Sequence, residues 1–218
     1  MKSFISGAGL LIVVVAVLCP HTTRAQAASG EGEDSYRAER AWDALIVRKG
    51  GRERLHAISN ILIRANLPRK NGLLNVLHVF PDRIFKFAYW ADGKPNLLII
   101  DGSRNVIRSS VRGEPITNKS DSPLPDSWRV ERVVYLLETK WDRPEPLRVT
   151  RQRIGKEQFD VVEVSFKGYR LEYFFDPEEM LVRRVVFHRD YGRTVYDFSD
   201  YLSVAGIQLP QKEGLGIN

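Results

Sequence analysis

The sequence is poor in cysteine, in long apolar runs and in motifs of known chemistry. Cys19 is its only cysteine, which excludes an intrachain disulfide and a cysteine-based metal site. Its longest apolar run, residues 7–19, is shorter than the about 20 residues that a helix needs to cross a bilayer. It also contains no nucleophile elbow, phosphate-binding glycine loop or zinc motif, so the corresponding enzyme classes receive no support.

The first residues have the three parts of a secretory signal peptide. Lys2 supplies the positive start, residues 7–19 form the apolar centre, and the "AQA" that ends at Ala27 fits a cleavage site. An uncleaved membrane anchor and a lipoprotein acylated at Cys19 are the alternatives, although the neighbours of Cys19 do not fit a lipidation signal. We expect cleavage after Ala27 and export to the periplasm or another extracytoplasmic location.

Charge of one sign is not concentrated anywhere in the chain. Of 33 basic residues, Lys2 and Arg24 fall in the predicted signal peptide, which leaves 31 basic against 27 acidic side chains. Because the basic residues are scattered among acidic ones, we expect no nucleic-acid partner. The remaining length suits one domain. We therefore predict a signal peptide over 1–27, a flexible lead over 28–35 and a single domain over 36–218, with no cofactor.

Two segments have the periodicity of helices. In the first, apolar residues form one stripe before a stop at Gly50–Gly51; they are Tyr36, Ala38, Ala41, Trp42, Leu45 and Ile46. The second follows a polar loop over 113–126 and begins at Asp126, a good N-cap residue. Its apolar positions are Trp128, Val133, Leu136, Leu137 and Trp141.

The rest of the chain is typical of strands separated by turns such as "ADGKP" and "DGS". We count roughly ten strands and two or three helices without βαβ alternation, which predicts an α+β protein with a meandering antiparallel sheet. A sheet of that many twisted strands curls. We therefore expect a curved sheet that forms an incomplete, half-open β-barrel lidded by the helices.

Alternation within the strands assigns large apolar side chains to one face and charged ones to the other. If the helices cover that apolar face only in part, it forms a groove for a hydrophobic ligand; if they cover it fully, the same residues are a solid core. The candidate lining residues are Phe85, Phe87, Tyr89, Tyr173, Phe175, Val185, Phe187, Tyr196 and Phe198.

Four segments, taken in order, resemble a known family: "GGRERLHAISNILI", "FPDRIFKFAY", "YRLEYFFDPEEMLVRRVVF" and "YDFSDYLSVAGIQLP". The resemblance is to the outer-membrane lipoprotein-sorting superfamily, the LolA/LolB-like proteins, and among them to uncharacterised exported relatives. It implies an incomplete barrel whose apolar interior holds the acyl chains of a lipoprotein in transit. The chain departs from the membrane-anchored receptors of that family because it lacks their amino-terminal lipidation. No functional residue of the family is carried over.

Polar residues suggest little catalytic chemistry. The histidines at 56, 78 and 188 do not have metal-ligand spacing. His188, Asp190, Asp197 and Asp200 gather near one hairpin and are the candidates for acid–base work, but alternation turns the acids toward solvent. We therefore expect a protein that is not an enzyme.

The resulting functional hypothesis is an exported cell-envelope protein that binds a lipid or a lipidated protein in an apolar half-barrel, with transport as one role. Membrane-associated proteins are its expected partners. Two alternatives stay open at this point: a sensor or protein-interaction module built on the same scaffold, and a hydrolase with an unrecognised site.

Overall fold

The computed structural model describes residues 23–67, 72–89, 95–111, 114–119 and 126–217. Within these ranges the chain forms three helices and two antiparallel sheets of six strands each. The α+β class and the antiparallel pairing predicted from the sequence are confirmed. The expected count of roughly ten strands is low, because twelve are present in the described ranges.

Both sheets are meanders, in which each strand pairs with the next one along the chain. The helices are α1 (Thr23–Lys49), α2 (Arg52–Ala57) and α3 (Ser127–Leu136). The first sheet contains β1 (Asn60–Leu67), β2 (Gly72–Val79), β3 (Arg83–Tyr89), β4 (Pro95–Asp101), β5 (Val106–Val111) and β6 (Glu114–Lys119). The second contains β7 (Glu145–Ile154), β8 (Glu157–Phe166), β9 (Tyr169–Phe175), β10 (Val182–Arg189), β11 (Gly192–Val204) and β12 (Ile207–Ile217).

Helix α1 packs its apolar stripe against the second sheet, mainly along β7. Ala38, Trp42 and Leu45 of the predicted stripe are buried. The Trp42 ring meets the Tyr173 ring edge-on, with 5.0 Å between centroids. Tyr36, at the amino-terminal end of the stripe, is 60 % exposed and takes no part in the core.

The predicted helix stop at Gly50–Gly51 is confirmed, and Gly50 shows why the residue is a glycine. Its φ of 140° lies in a region that residues with a side chain rarely adopt. A Cβ at this position would also lie 2.5 Å from the carbonyl oxygen of Gly206. The turn after α1 therefore packs directly on the β11–β12 turn.

The amino-terminal part of α1 covers residues 28–35, for which the sequence predicted a flexible lead. Residues 1–22, which hold most of the predicted signal peptide, lie outside the described ranges. Cleavage after Ala27 therefore stays a prediction. None of the helices in the described ranges combines the length and the apolar character needed to span a membrane.

The main core lies where α1 and α3 pack on the second sheet. Six of the candidate lining residues are in it, each at most 6 % exposed: Tyr173, Phe175, Val185, Phe187, Tyr196 and Phe198. The Tyr173 hydroxyl donates a 2.9 Å hydrogen bond to the Val133 carbonyl oxygen in α3. A buried phenol hydroxyl without a hydrogen-bond partner would be destabilising. Because the partner is in α3, this bond favours the position of α3 against the second sheet.

The first sheet has apolar side chains on both faces, which corrects the expectation of one apolar and one charged face. On β3, Ile84 and Ala88 are buried, whereas Phe85 and Phe87 between them are half-buried. The buried set faces α3, since Ile84 belongs to a cluster that packs against Trp128 of that helix. We call this the inner face of the first sheet and the opposite one its outer face.

Helix α3 lies between the two sheets and is tied to the first by charges. Arg132, only 1 % exposed, donates to the Pro81 carbonyl oxygen and lies 3.4 Å from a carboxylate oxygen of the buried Asp142. Glu131 of the same helix pairs with Lys86 of β3. These contacts hold α3 in its position next to the first sheet.

Around α3, one local prediction is confirmed in position and two are wrong. Asp126 occupies the N-cap position but makes no capping hydrogen bond; its carboxylate lies 3.4 Å from Arg129 instead. The helix ends at Leu136, so Trp141 is not part of it and stacks on Phe80 at 5.4 Å. The polar segment 113–126 contains β6, because pairing with β5 satisfies the backbone whatever the side chains are.

Candidate functional site

A cavity of about 390 Å³ lies between the two sheets, beside α3. This volume is within the range of small-molecule sites. The first sheet contributes Ile63, Ala65, Leu74, Val76 and Lys86; α3 contributes Glu131 and Tyr135; the second sheet and its β10–β11 turn contribute Arg189, Tyr191, Gly192, Arg193, Thr194, Tyr196 and Glu213.

One wall of the cavity is apolar and comes from the first two strands. Ile63 is directly opposite Val76 in the β1–β2 pair, and Ala65 is opposite Leu74. Alternate residues share a face of a sheet, so these four side chains form one continuous patch. Hydrocarbon is the ligand material that such a wall favours.

At the floor of the cavity, the carboxylate of Glu131 pairs with the Lys86 ammonium. The fully buried ring of His78 lies behind it, with Nε2 at 3.8 Å from a Glu131 oxygen. That separation is too long for a hydrogen bond, and within the described residues neither ring nitrogen has a partner. Burial, helped by Arg132 and Lys86, lowers the pKa of His78 to about 3. The ring is therefore neutral, and the contact with Glu131 is not an ion pair.

A second polar contact crosses the cavity from α3 to β12. The Tyr135 hydroxyl donates to the Glu213 carboxylate, and its ring packs on Phe198 with 5.8 Å between centroids. Burial raises the pKa of Glu213 and outweighs the opposing effect of the hydrogen bond from Tyr135. Burial likewise raises the pKa of Tyr135. Although its side chain reaches solvent at the cavity, the carboxyl of Glu213 thus holds its proton more strongly than a glutamate free in water does.

The mouth of the cavity is the β10–β11 turn. Tyr191 in this turn is 97 % exposed, so the cavity reaches the surface there. Arg189 lies with its guanidinium 4.8 Å from the centre of the Phe187 ring. Arg189 and Arg193 both line the cavity, and neither forms an ion pair with a described residue. The site is therefore apolar on one side and polar on the other, with positive charge at its opening.

Two larger depressions are present, but they are less suited to a hydrophobic ligand. One, of about 700 Å³, has ionisable side chains at half of its lining positions, including Asp176, Arg184 and Asp197. The other, of about 660 Å³, lies between α1 and β7 and is lined by several arginines. Such surfaces stay hydrated, so volume alone does not make them better sites.

The structure brings only part of the predicted lining to this cavity. Of the nine candidates, all within the described ranges, Tyr196 alone lines it. Phe85, Phe87 and Tyr89 lie on the outer face of the first sheet, and the other five are core residues. The lining predicted from the sequence did not include the apolar wall on β1 and β2. Its signal was present as the alternation of Ile63 with Ala65 and of Leu74 with Val76.

The acid–base candidates are spread over separate surface contacts. His188 Nε2 lies 3.3 Å from Glu172, and Asp197 pairs with Arg184 at 2.6 Å. Asp200 pairs with Lys212, and Asp190 is exposed. The four residues therefore do not form a common site. Surface pairs of this kind are ordinary features of a solvated sheet face.

His56 and Glu138 form a polar contact outside the cavity. The His56 Nε2 lies 2.9 Å from a Glu138 oxygen, which also accepts a 2.6 Å hydrogen bond from Arg52. This cluster ties α2 to the segment after α3. Among the residues that the structure describes, no group of three His, Cys, Asp or Glu is arranged to hold a metal ion.

Comparison with known proteins adds no assignment. No model of a protein family matches the chain, and no curated protein matches it. The resemblance to the lipoprotein-sorting superfamily therefore stays a prediction from the sequence.

Proposed function

We propose that this protein binds a hydrophobic ligand, the acyl chain of a lipid or of a lipidated protein, in the cavity between its two sheets. The two sheets act together as an incomplete barrel, and α3 is the part of its lid that reaches the ligand. The proposal places the protein in the cell envelope as a non-enzymatic carrier, in keeping with the resemblance to the LolA/LolB-like proteins. The observation that carries it is the apolar wall of Ile63, Ala65, Leu74 and Val76 on a cavity that opens to the surface.

The volume suits a medium-length acyl chain. A cavity of about 150 Å³ accommodates benzene, so by proportion about 390 Å³ accommodates a hydrocarbon of roughly fifteen carbons. Each buried methylene contributes about 0.8 kcal/mol. A chain with about half of its carbons buried therefore gains roughly 6 kcal/mol before the cost of ordering the ligand.

The test is a substitution on the apolar wall that fills part of the cavity. Ala65→Phe adds a phenyl group, which by the benzene comparison takes roughly a third of the volume. We expect the affinity for a fluorescent fatty acid, measured by displacement, to fall at least tenfold. Ala57→Phe, at an exposed position at the end of α2, adds the same group outside the cavity and should leave the affinity unchanged.

Equal fatty-acid affinity in Ala65→Phe and the unsubstituted protein would show that hydrocarbon does not enter this cavity. Native mass spectrometry of protein purified from its own envelope supplies an independent measurement. A lipid that co-purifies with the protein and is absent from Ala65→Phe supports the proposal. A protein that carries no lipid and binds no fatty acid favours the sensor or interaction module instead.

A further inference from the structure

The outer face of the first sheet carries a broad apolar patch that is separate from the cavity. Leu62, Leu77, Phe85 and Ile99 are in register across β1 to β4 and form one row. Phe87 and Leu97 are opposite each other in the next row. We call these six residues the outer patch. With neighbouring strands about 4.8 Å apart, it is roughly 14 Å wide across the strands.

No described element covers the outer patch. Helix α1 packs on the second sheet and α3 on the inner face of the first, within the ranges that the structure describes. Leu62 is 49 % exposed, and Tyr89, whose ring meets Phe87 edge-on at 4.5 Å, is 44 % exposed. Of the six members, Leu62 is exposed and the other five are half-buried, and a contiguous, partly exposed apolar surface marks a binding face in soluble proteins.

The charge of this face indicates the kind of partner. Arg64 lies in the row of Phe87, and Arg108 lies next to Ile99 on the neighbouring strand. Both are exposed and form no ion pair with a described residue. Among the described side chains of this face, the acid is Asp101, which is already held by Arg83 and Ser103. The outer patch is therefore apolar with an excess of positive charge.

A second copy of the chain is a poor partner for such a face. A symmetric dimer would place the same patch on both sides of the interface, so Arg64 and Arg108 of the two copies would meet with no free acid among the described residues of this face to separate them. An anionic surface removes that repulsion. A lipid bilayer surface further needs no matching pocket, because aromatic rings and arginine side chains insert among its head groups.

We propose that the outer patch docks the protein on a membrane surface that contains anionic lipid. Leu62, Phe85 and Phe87 enter the interfacial region, and Arg64 and Arg108 contact the phosphates. The same strands β1 to β3 carry the cavity wall on their inner face, so docking brings the proposed ligand site next to a source of acyl chains. The docking itself does not depend on the cavity holding a ligand.

The experiment is co-sedimentation of the purified protein with phosphatidylcholine vesicles, with and without phosphatidylglycerol, at low and high salt. We expect binding to the anionic vesicles that weakens with salt. Each basic residue near such a surface contributes about 1 kcal/mol, so Arg64→Gln combined with Arg108→Gln should lower the partition coefficient roughly thirtyfold. Phe87→Ser should lower it roughly tenfold, since its ring is half-buried before docking.

The matched control combines Arg48→Gln with Arg153→Gln, two exposed arginines at the end of α1 and in β7. If this control loses as much vesicle binding as the Arg64 and Arg108 variant, the effect comes from net charge alone and the proposal is overturned. Failure of the unsubstituted protein to bind anionic vesicles would also overturn it.

Two further outcomes also contradict membrane docking. One is a dimer in light scattering that dissociates on Phe87→Ser, and the other is tight binding of an acidic polypeptide with no binding to vesicles. The arginine variants change exposed side chains, so a correct fold is expected and is checked by their unfolding curves. Ala65→Phe should leave vesicle binding unchanged, which separates a failure of this proposal from a failure of the proposed ligand site.

Discussion

The most quantitative prediction concerns Lys49, in the last turn of α1. Its side chain is 8 % exposed, and no described carboxylate lies within ion-pair distance. The ammonium lies 5.7 Å from the centre of the Tyr201 ring. Burial lowers the pKa of Lys49 from 10.5 to about 7. The folded protein therefore prefers the neutral amine, whereas the unfolded chain holds the proton up to an ordinary lysine pKa.

The cost of this buried lysine depends on pH in a defined direction. Above pH 10.5 both states are neutral and there is no cost. As the pH falls toward 7 the unfolded chain gains a proton that the folded protein does not, so the folded state loses stability. With about 1.4 kcal/mol for each tenfold difference in proton affinity, the loss is about 2 kcal/mol at pH 9 and about 4 kcal/mol at pH 7. When the amine is charged, its contact with the Tyr201 ring stabilises the folded state by about 1 kcal/mol and offsets part of this loss.

Lys49→Met should therefore raise the free energy of unfolding by about 3 kcal/mol at pH 7. The gain should shrink steadily as the pH approaches 10. Urea unfolding curves at a series of pH values measure this difference. Lys156→Met, in the exposed β7–β8 turn, is the control and should show a small difference that does not vary with pH. A difference for Lys49→Met that is equally flat would refute the reasoning.

Two further predictions concern groups that position α3. Asp142→Ala leaves the guanidinium of Arg132 buried without its carboxylate, which should cost about 3 to 5 kcal/mol in urea unfolding; a loss below about 1 kcal/mol would contradict a buried charge at Arg132. Glu213→Gln keeps an acceptor for Tyr135 and removes a carboxyl whose pKa is raised by burial. That raised pKa stabilises the fold at low pH and the benefit is lost as the pH rises through it, so the variant should gain stability relative to the unsubstituted protein over the interval above the ordinary glutamate pKa of 4.5. A gain that instead decreases over this interval would show that Glu213 is stabilised as the anion.

The helices and turns were predictable because their signals are local. The stripe of Ala38, Trp42 and Leu45 needs only a 3.6-residue period, and the stop at Gly50–Gly51 needs only a backbone that accepts positive φ. The strand segments were also found, because turn residues punctuate them. The exception is β6, since a polar strand is recognised by its pairing with a neighbour rather than by its own residues.

The assignment of faces in the first sheet failed for a physical reason. Alternation divides β3 into two sets but does not say which one faces inward. The set of Phe85 and Phe87 is the more apolar, while the other contains a lysine. Lys86 nevertheless faces inward because Glu131 of α3 offers it a partner inside the molecule. That pairing joins residues from separate elements and has no local signal.

The sequence by itself determined the fold class, the order of the elements and the two sets of side chains on each strand, because all of these follow from short-range periodicity and turn chemistry. The tertiary structure alone decided which set faces the interior and where the cavity lies. The cavity joins β1 to β3 with α3 and with β10 to β12, which are far apart along the chain. Its existence depends on how α3 packs between the sheets, where Arg132 contacts the Pro81 carbonyl oxygen on one side and Val133 accepts a hydrogen bond from Tyr173 on the other; such contacts join residues far apart in the chain.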